Sequence, residues 1–551
     1  MKRLRIIPLG GVYEIGKNMS AVEYDGQVAL VDAGVRFPEE ELRGIDLLVP
    51  DVAYLEGRRQ PPRALFLTHG HEDHIGAVPF VLPRLADESR PLPIYGLPLT
   101  IGFVRERLRE ARIEHLADLR AAEPRRGYRV GPFAAEFVRV AHSIPDSAAV
   151  ALRTPVGTAI FTGDFKFDPE MPPVRQTDVE RLAELGDEGV LVLLSDTTRA
   201  DTAGSTPSER IVAESLEAII RDAPGRVVIS TFASNIARLG DVLRAAARFG
   251  RQTAVVGRSL EQNARVALEL GYFSQDTPLN TLDNVLRLPP AQQLLFTTGA
   301  QGEPTAALTR IATGTHRRIR VEAGDTVVIS ATPVPGNEET VARTIDTLFR
   351  RGATVIYPAL NPGVHVSGHA SRDQLVRMLQ LVRPRFVVPV HGEYRHLMLF
   401  AALCRTVGIG ADRVFLPELG QPLEITADSV RRGRLVETGT LLVDRLTVGG
   451  RERTILRRQG QLTEEGVVMV TVIVDRARGR LVGEPILTAQ EFPTDSLLKN
   501  AAAALHKELT HGPHGLPAYG ELVERTKEAV GRSIYIASKR RPLVMPIVAE
   551  V

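Results

Sequence analysis

A single cysteine, Cys404, in 551 residues leaves no room for an internal disulfide framework or a cysteine-built zinc site. Any metal must therefore be held by histidines and carboxylates, which directs attention to the 13 histidines. Long apolar runs are also missing: nothing approaches the roughly 18 residues needed to span a bilayer, so no membrane segment is expected. Net charge is scarce, because 68 basic and 66 acidic residues leave only +2. That is too little to argue for an anionic partner, and the excess of arginine over lysine is explained as readily by codon preference as by phosphate binding. Met1-Lys2-Arg3 runs directly into a strand-like stretch, without the apolar core and cleavage site of a secretory signal, which sets the expectation of a cytoplasmic protein. No internal repeat or low-complexity tract is present.

What is present is enough chain for several hydrophobic cores, since a single core stops growing at roughly 250–300 residues. Residues 28–32, 64–68, 137–140, 159–162 and 190–195 read as strands, and 75–85 and 177–185 as helices, an α/β alternation. Asp32, His69, His142, Asp164 and Asp196 each stand at or just past the C-terminal end of one of these strands, where layered α/β proteins gather functional groups. Thr206-Pro207-Ser208-Glu209 reads as a helix start, with Thr206 as N-cap and Pro207 at the first helical position. Strand and helix alternation continues through 227–231, 236–247, 253–256 and 326–330. Residues 360–430 carry two more strand-end histidine motifs and so are expected to return to the first domain. An Arg- and Gly-rich stretch around 448–453 reads as a linker, and the last ninety residues as a small α+β unit with strands at 466–474 and 543–551 and helices at 496–509 and 522–530.

The strongest signal is Thr68-His69-Gly70-His71-Glu72-Asp73-His74, in which three histidines and an aspartate follow a buried strand. His69 and His71, two apart at a strand end, can fan around one metal, while Asp73 and His74 enter the next helix towards a second. Two metals need further ligands, and the sequence offers them in Ala141-His142-Ser143, Thr162-Gly163-Asp164-Phe165 and Pro389-Val390-His391-Gly392. Asp164 suits a bridging position, because one carboxylate shared between two cations relieves their mutual repulsion. Two divalent ions less the charges of Asp73, Asp164 and a bridging hydroxide leave about +1, which matches a phosphodiester attacked in line at phosphorus. Zn²⁺ is the first expectation for the ions and Mn²⁺ the alternative, since these ligands accept both.

The ordered set Asp32, His69-x-His71-x-Asp73-His74, His142 and Asp164 resembles that of the metallo-β-lactamase superfamily. Leu194-Ser195-Asp196-Thr197-Thr198, His365-Val366-Ser367-Gly368-His369 and Val390-His391-Gly392 are similar to motifs A, B and C of its nucleic-acid-processing β-CASP subgroup. Pro8-Leu9-Gly10-Gly11, Glu14-Ile15-Gly16-Lys17-Asn18-Met19, Phe232-Ala233-Ser234-Asn235, Pro335-Gly336-Asn337-Glu338 and Arg540-Arg541-Pro542 look like signatures of the ribonuclease J family, so the resemblance covers essentially the whole chain.

The resemblance implies an αββα metallo-β-lactamase sandwich with an inserted α/β β-CASP domain and a small C-terminal domain. The expected boundaries are 1–205 and 360–430 for the sandwich, 206–359 for the insertion, 431–460 for the linker and 461–551 for the last domain. It implies metal ligation by His69, His71, Asp73, His74, His142, Asp164 and His391, with Asp32 orienting the loop. Asp196 and His369 would assist proton transfer near the leaving oxygen, with Asp73 also at the reacting centre. A pocket for a 5′ phosphate would be formed by Ser234, Asn235, His365, Val366, Ser367, Gly368 and His369, with Gly368 letting backbone N–H groups reach phosphate oxygens. An additional structural cation is expected near Asp46 and Asp444. The implied activity is 5′-to-3′ exoribonuclease on single-stranded RNA bearing a 5′ monophosphate, with some endonuclease activity, in mRNA decay and rRNA maturation, by a homodimer or higher homo-oligomer. The alternatives are a β-CASP endoribonuclease of the cleavage and polyadenylation type and an inactive RNA-binding scaffold.

Overall fold

The computed structural model describes residues 3–38, 45–56, 58, 60–273, 279–303, 305–334, 336–444, 447–448, 467–476, 478–490, 495–510, 519–538 and 542–551. Residues 445, 446 and 449–460 of the expected linker, together with Pro335 and Arg540-Arg541, lie outside the described residues, whereas its start is not a linker but enters strands Val430–Arg432 and Thr440–Asp444. The chain divides into two compact units, Met1–Phe37 with Leu47–Leu441 and Pro38–Asp46 with Leu442–Val551.

In the larger unit two sheets face one another. One has eight strands in the order Val430–Arg432, Leu423–Ile425, Leu4–Gly10, Met19–Tyr24, Gln27–Val31, Leu65–Phe66, Leu92–Gly96 and Ala117–Ala121. The other has six, in the order Phe386–Val390, Val190–Asp196, Gly157–Phe161, Ala148–Thr154, Phe133–Arg139 and Gly127–Val130. Their alternation shows why they stack. In Ala148–Thr154, Ala148, Val150 and Leu152 enter the core between the sheets with Ile6, Val22, Phe66 and Phe137, whereas Ala149 and Ala151 pack outward with Leu182, Leu379 and Phe400 of covering helices. Each such Val or Leu contributes roughly 1.5–3 kcal/mol of burial. Helices Val78–Leu85 and Pro98–Glu110 lie on the far side of the eight-stranded sheet, which completes the αββα layering.

Between Asp196 and the 365–369 motif the chain builds a separate five-stranded, all-parallel sheet in the order Gln252–Val256, Gln293–Thr297, Val227–Ser230, Thr326–Ile329 and Thr354–Ile356. Its three central strands are wholly buried and mostly apolar, as expected for parallel strands covered on both faces. Phe386–Val390 then pairs in parallel with Val190–Asp196, and Leu423–Ile425 pairs with Leu4–Gly10.

Two expected elements are displaced. The helix read over 75–85 begins only at Val78, and Glu72–Ile75 is a separate single turn. The Ala77 N–H leaves the helical ladder to donate to Ala33 O at 2.8 Å, docking the histidine loop on the neighbouring strand end. The helix expected to be capped by Thr206 runs Glu209–Asp222 and is capped by Ser208, whose hydroxyl accepts from Arg210 N. Thr206 is engaged elsewhere: its hydroxyl donates to His369 O at 2.6 Å and lies 2.8 Å from Ser371 Oγ.

The smaller unit pairs Val467–Asp475 with Arg480–Leu481 and Ile486–Gln490 in antiparallel fashion and with Leu543–Glu550 in parallel. Helices Asp495–Thr510 and Tyr519–Ser538 cover one face, with Val468, Val470, Val472 and Val474 packing against Leu505, Leu522 and Val530. Asp46 N donates to Val443 O at 2.8 Å, which brings the segments carrying Asp46 and Asp444 together. Among the described residues, no cluster of three or more ligating side chains includes either aspartate.

Candidate metal centre

Parallel pairing places Asp164, Asp196 and His391 at one sheet edge. Gly157–Phe161, Val190–Asp196 and Phe386–Val390 run side by side, and the register Asp196↔Val390 sets His391 just beyond Asp196. His142 is brought to the same edge by a bridge between Ala141 and Lys166. His69, His71, Asp73 and His74 arrive from the facing sheet, in the loop and turn after Leu65–Phe66.

Seven side chains predicted as ligands meet here in two groups: His69, His71, His142 and Asp164, and Asp73, His74, Asp164 and His391. In the first, His69 Nε2 and His142 Nε2 lie 3.2 and 3.1 Å from His71 Nδ1, and 3.4 and 3.6 Å from Asp164 Oδ2. In the second, Asp73 Oδ2 is 3.1 Å from His391 Nε2 and 3.7 Å from His74 Nε2, and Asp164 Oδ1 is 3.2 Å from His74 Nε2. Asp164 is the carboxylate common to both, one oxygen turned to each.

Three rings are held from outside at the nitrogen opposite the cluster, and His391 at the nitrogen that also faces Asp164. Asp32 Oδ2 lies 2.8 Å from His74 Nδ1, Thr68 Oγ1 3.0 Å from His69 Nδ1, Gly368 O 2.8 Å from His142 Nδ1 and Thr198 Oγ1 3.1 Å from His391 Nδ1. Such partners fix the direction of each imidazole. Asp32 stands behind the ligand groups, as expected, and also accepts from Thr68 N at 2.8 Å and Thr68 Oγ1 at 2.9 Å. Thr68, Thr198 and Asn18, whose Nδ2 is 3.1 Å from His74 Nε2, lie inside recognised motifs, but the sequence assigns them no role, because a threonine or asparagine beside a histidine carries no spacing signal of its own.

The donor set fits cations. Burial, reinforced by its histidine neighbours, pushes His71 down to about 3, and burial holds His69 and His142 below the ordinary histidine range, so all three present neutral imidazoles. Burial also opposes a proton on His74 and His391, yet the surrounding carboxylates outweigh it, Asp164 foremost, and His391 is raised to about 10. Burial disfavours the charged forms of Asp73 and Asp164, but the histidines around them hold both carboxyls below their usual range. The buried Asp164 Oδ1 has no aligned hydrogen-bond donor although His74 Nε2 and His391 Nδ1 both face it at 3.2 Å. A buried carboxylate oxygen without an aligned donor, set between two ring nitrogens, is a donor arrangement that a cation would satisfy.

Beside this cluster His369 Nδ1 lies 2.8 Å from Asp196 Oδ2, and Asp196 Oδ1 accepts from Thr198 N and Oγ1 at 2.9 and 2.7 Å. Burial disfavours charge on His369, but Asp196 and Asp164 prevail and raise its pKa. Ser367 Oγ accepts from His369 N. Gly368 is also required on steric grounds: a Cβ there would stand 2.6 Å from the His142 ring, so glycine permits the carbonyl contact that aims His142. His365 lies 3.5 Å from Arg238 Nη1, Val366 is buried, and Asn235 uses its Oδ1 to cap the helix Ile236–Arg248 by accepting from Arg238 N, with Ser234 just ahead of it.

An αββα sandwich that carries a shared-carboxylate His/Asp cluster at its strand edge, and an all-parallel domain inserted between Asp196 and His369, defines a metallo-β-lactamase-fold hydrolase of the β-CASP type. Family models agree: residues 12–231 match the metallo-beta-lactamase superfamily, 224–348 the ribonuclease J beta-CASP domain, 359–417 the Zn-dependent metallo-hydrolase RNA specificity domain and 454–551 the ribonuclease J C-terminal domain. The chain is 37% identical to ribonuclease J2 of Bacillus subtilis, over 100% of its own length and 99% of the relative's, and 39% identical to ribonuclease J of Thermus thermophilus, over 99% and 95%. A crystal structure of a protein of unknown function from Enterococcus faecalis shares the fold at a TM-score of 0.55 and 18% identity, covering 77% of this chain and 100% of that one. The chain belongs to the ribonuclease J family and is a metal-dependent ribonuclease.

Proposed function

We propose that this ribonuclease degrades single-stranded RNA from 5′ monophosphate ends in the 5′-to-3′ direction, with some internal cleavage, in mRNA decay and rRNA maturation in the cytoplasm. The observation that carries this reading is the join between cluster and pocket: the loop bearing Ser367 and Gly368 is bonded to His142 on one side and presents His369 to Asp196 and Asp164 on the other. A terminal phosphate anchored on that loop would lie within reach of the linkage to be cut.

Two divalent ions, Zn²⁺ first and Mn²⁺ as the alternative, would be held by His69, His71, His142 and Asp164 and by Asp73, His74, Asp164 and His391, and when bound would supply charge stabilisation for phosphodiester hydrolysis. The protein's own groups do the rest. Asp196 holds the His369 Nδ1 proton and so directs Nε2 towards Asp164, 4.0 Å away, where a proton can pass to the departing 3′ oxygen. Ser234, Ser367 and His369 offer donors to the terminal phosphate, each charge-assisted bond contributing about 1.5–3 kcal/mol. Breaking the P–O3′ bond releases a nucleoside monophosphate and leaves a fresh 5′ phosphate on the shortened strand, so each cycle regenerates its own anchor. We further propose a homodimer to which the C-terminal unit contributes.

The test compares one oligoribonucleotide bearing a 5′ monophosphate, hydroxyl or triphosphate, with products resolved at single-nucleotide length. Monophosphate ends should be degraded fastest and to mononucleotides. Ser367→Ala should narrow the preference for monophosphate over hydroxyl ends while sparing internal cleavage of long RNA. Equal rates on all three ends, or only longer products, would promote the endonuclease alternative.

A further inference from the structure

The loop after Leu4–Gly10 and the start of the helix Tyr394–Thr406 bring two exposed tyrosines into contact. Tyr13 is 37% and Tyr394 60% exposed, and their ring centroids lie 5.5 Å apart at 48°. Both are fastened to the Asp73–His391 edge of the metal centre. His391 N donates to Gly11 O at 2.7 Å, Glu14 bridges Gly392, and Tyr394 follows His391 by three residues. At the far end of the same loop, Asn18 N donates to Asp73 O at 3.0 Å.

Tyr13 also has φ of 60°, a left-handed conformation that a bulky non-glycine residue adopts only under constraint. A glycine would relieve it. The strained backbone instead presents an aromatic ring to solvent, which does nothing for the core. Unpaired nucleobases offer flat faces whatever their sequence, and exposed aromatic rings beside a nuclease centre bind them by stacking.

We propose that Tyr13 and Tyr394 form a stacking platform for one unpaired nucleobase of the RNA strand flanking the linkage cut at the Asp73–His391 edge. The inference rests on the ribonuclease reading of the centre. It concerns affinity and positioning, and neither tyrosine takes part in bond cleavage.

Steady-state kinetics on a set of oligoribonucleotides, one intact and the others each carrying a single abasic nucleotide at successive positions, test it. Tyr394→Ala should raise KM on intact RNA about tenfold while kcat falls less, and Tyr394→Phe, which keeps the ring, should restore it. Tyr13→Gly should raise KM without lowering the thermal midpoint, because glycine fits the left-handed backbone. At one abasic position the wild type should lose affinity and Tyr394→Ala should lose nothing further. Wild-type KM for both Tyr394→Ala and Tyr13→Gly, or a Tyr394→Ala penalty that persists at every abasic position, would overturn the platform while leaving the nuclease reading intact. A wild-type protein that hydrolyses none of the RNAs at matched metal loading would refute the substrate reading and the platform with it.

Discussion

Asp73, like His71, is only partly buried, with 29% of its side chain exposed, so removing its carboxylate takes little from the core. Asp73→Ala and His74→Ala should each lower RNA cleavage at least ~100-fold with the circular dichroism spectrum unchanged, since removing even groups that merely orient ligands costs about 10–100-fold. Near wild-type turnover at matched metal occupancy would show that the loop is not the centre. His365 makes a different kind of statement. Burial, reinforced by the Arg238 charge, pushes it down to about 3. The unfolded chain therefore takes up a proton near pH 6.5 that the folded chain refuses until about pH 3. The associated stability is present above pH 6.5 and drains away as the pH falls through that window, by at most ~1.4 kcal/mol per pH unit. Denaturant titrations from pH 7 to 5 should show a shallower loss for His365→Gln than for wild type; parallel slopes would refute the assignment. At this scale the clustered histidines and aspartates were legible because their spacing is itself the signal. The threonines behind them were not, since Thr68 reaches Asp32 only once two strands distant in sequence lie side by side.

Among elements, the two crossings between sandwich and inserted domain are locked by a buried polar network. Lys166 Nζ donates to Pro207 O at 3.1 Å, Glu209 N donates to Asp168 Oδ2 at 2.9 Å, and Gln374 Nε2 donates to Phe167 O at 2.7 Å. Glu209 Oε2 meets Arg238 Nη2 at 2.9 Å, and Arg238 Nη1 donates to Ser330 O at 2.7 Å. Glu209 is held below its ordinary range because Arg238 and Lys166 together outweigh the burial that opposes its charge. Glu209→Gln would strand the buried Arg238 cation and should cost about 3–5 kcal/mol in chemical denaturation. Pairing Glu209→Leu with Arg238→Met should recover much of it; a double variant worse than either single would show that the charges stabilise net. This network also explains where element boundaries escaped the sequence. Thr206 satisfies every local rule for an N-cap, but a hydrogen bond to His369 O, 163 residues away, outcompetes the local one. Long apolar-periodic stretches such as Ile236–Arg248, read as 236–247, were legible because their burial pattern repeats locally.

At the scale of the whole molecule, the C-terminal unit carries no cluster of ligating side chains among its described residues, yet it shows an uncovered apolar surface. In the central strand Val467–Asp475, Val468, Val470, Val472 and Val474 face the two helices, so their neighbours point the other way. On that opposite face Met469 is 46% exposed, with its register partner Met545 at 49%, while Ile547 at 51% and Ile486 at 60% both pair with Thr471. Four large apolar side chains gathered on one open sheet face are the composition of an interface core rather than of scattered surface residues. A second copy of the same unit would cover them symmetrically, each patch meeting its own image across a twofold axis. Deleting the chain beyond residue 455 should therefore reduce the mass measured by light scattering from two chains to one. Ile547→Glu in the full-length protein should do the same without truncation, because burying an unpaired carboxylate against Met469 and Met545 costs several kcal/mol. The ligand groups lie entirely within the larger unit, so mononucleotide release per active site should persist in the Ile547→Glu protein. An unchanged mass for both variants would remove this face from the assembly.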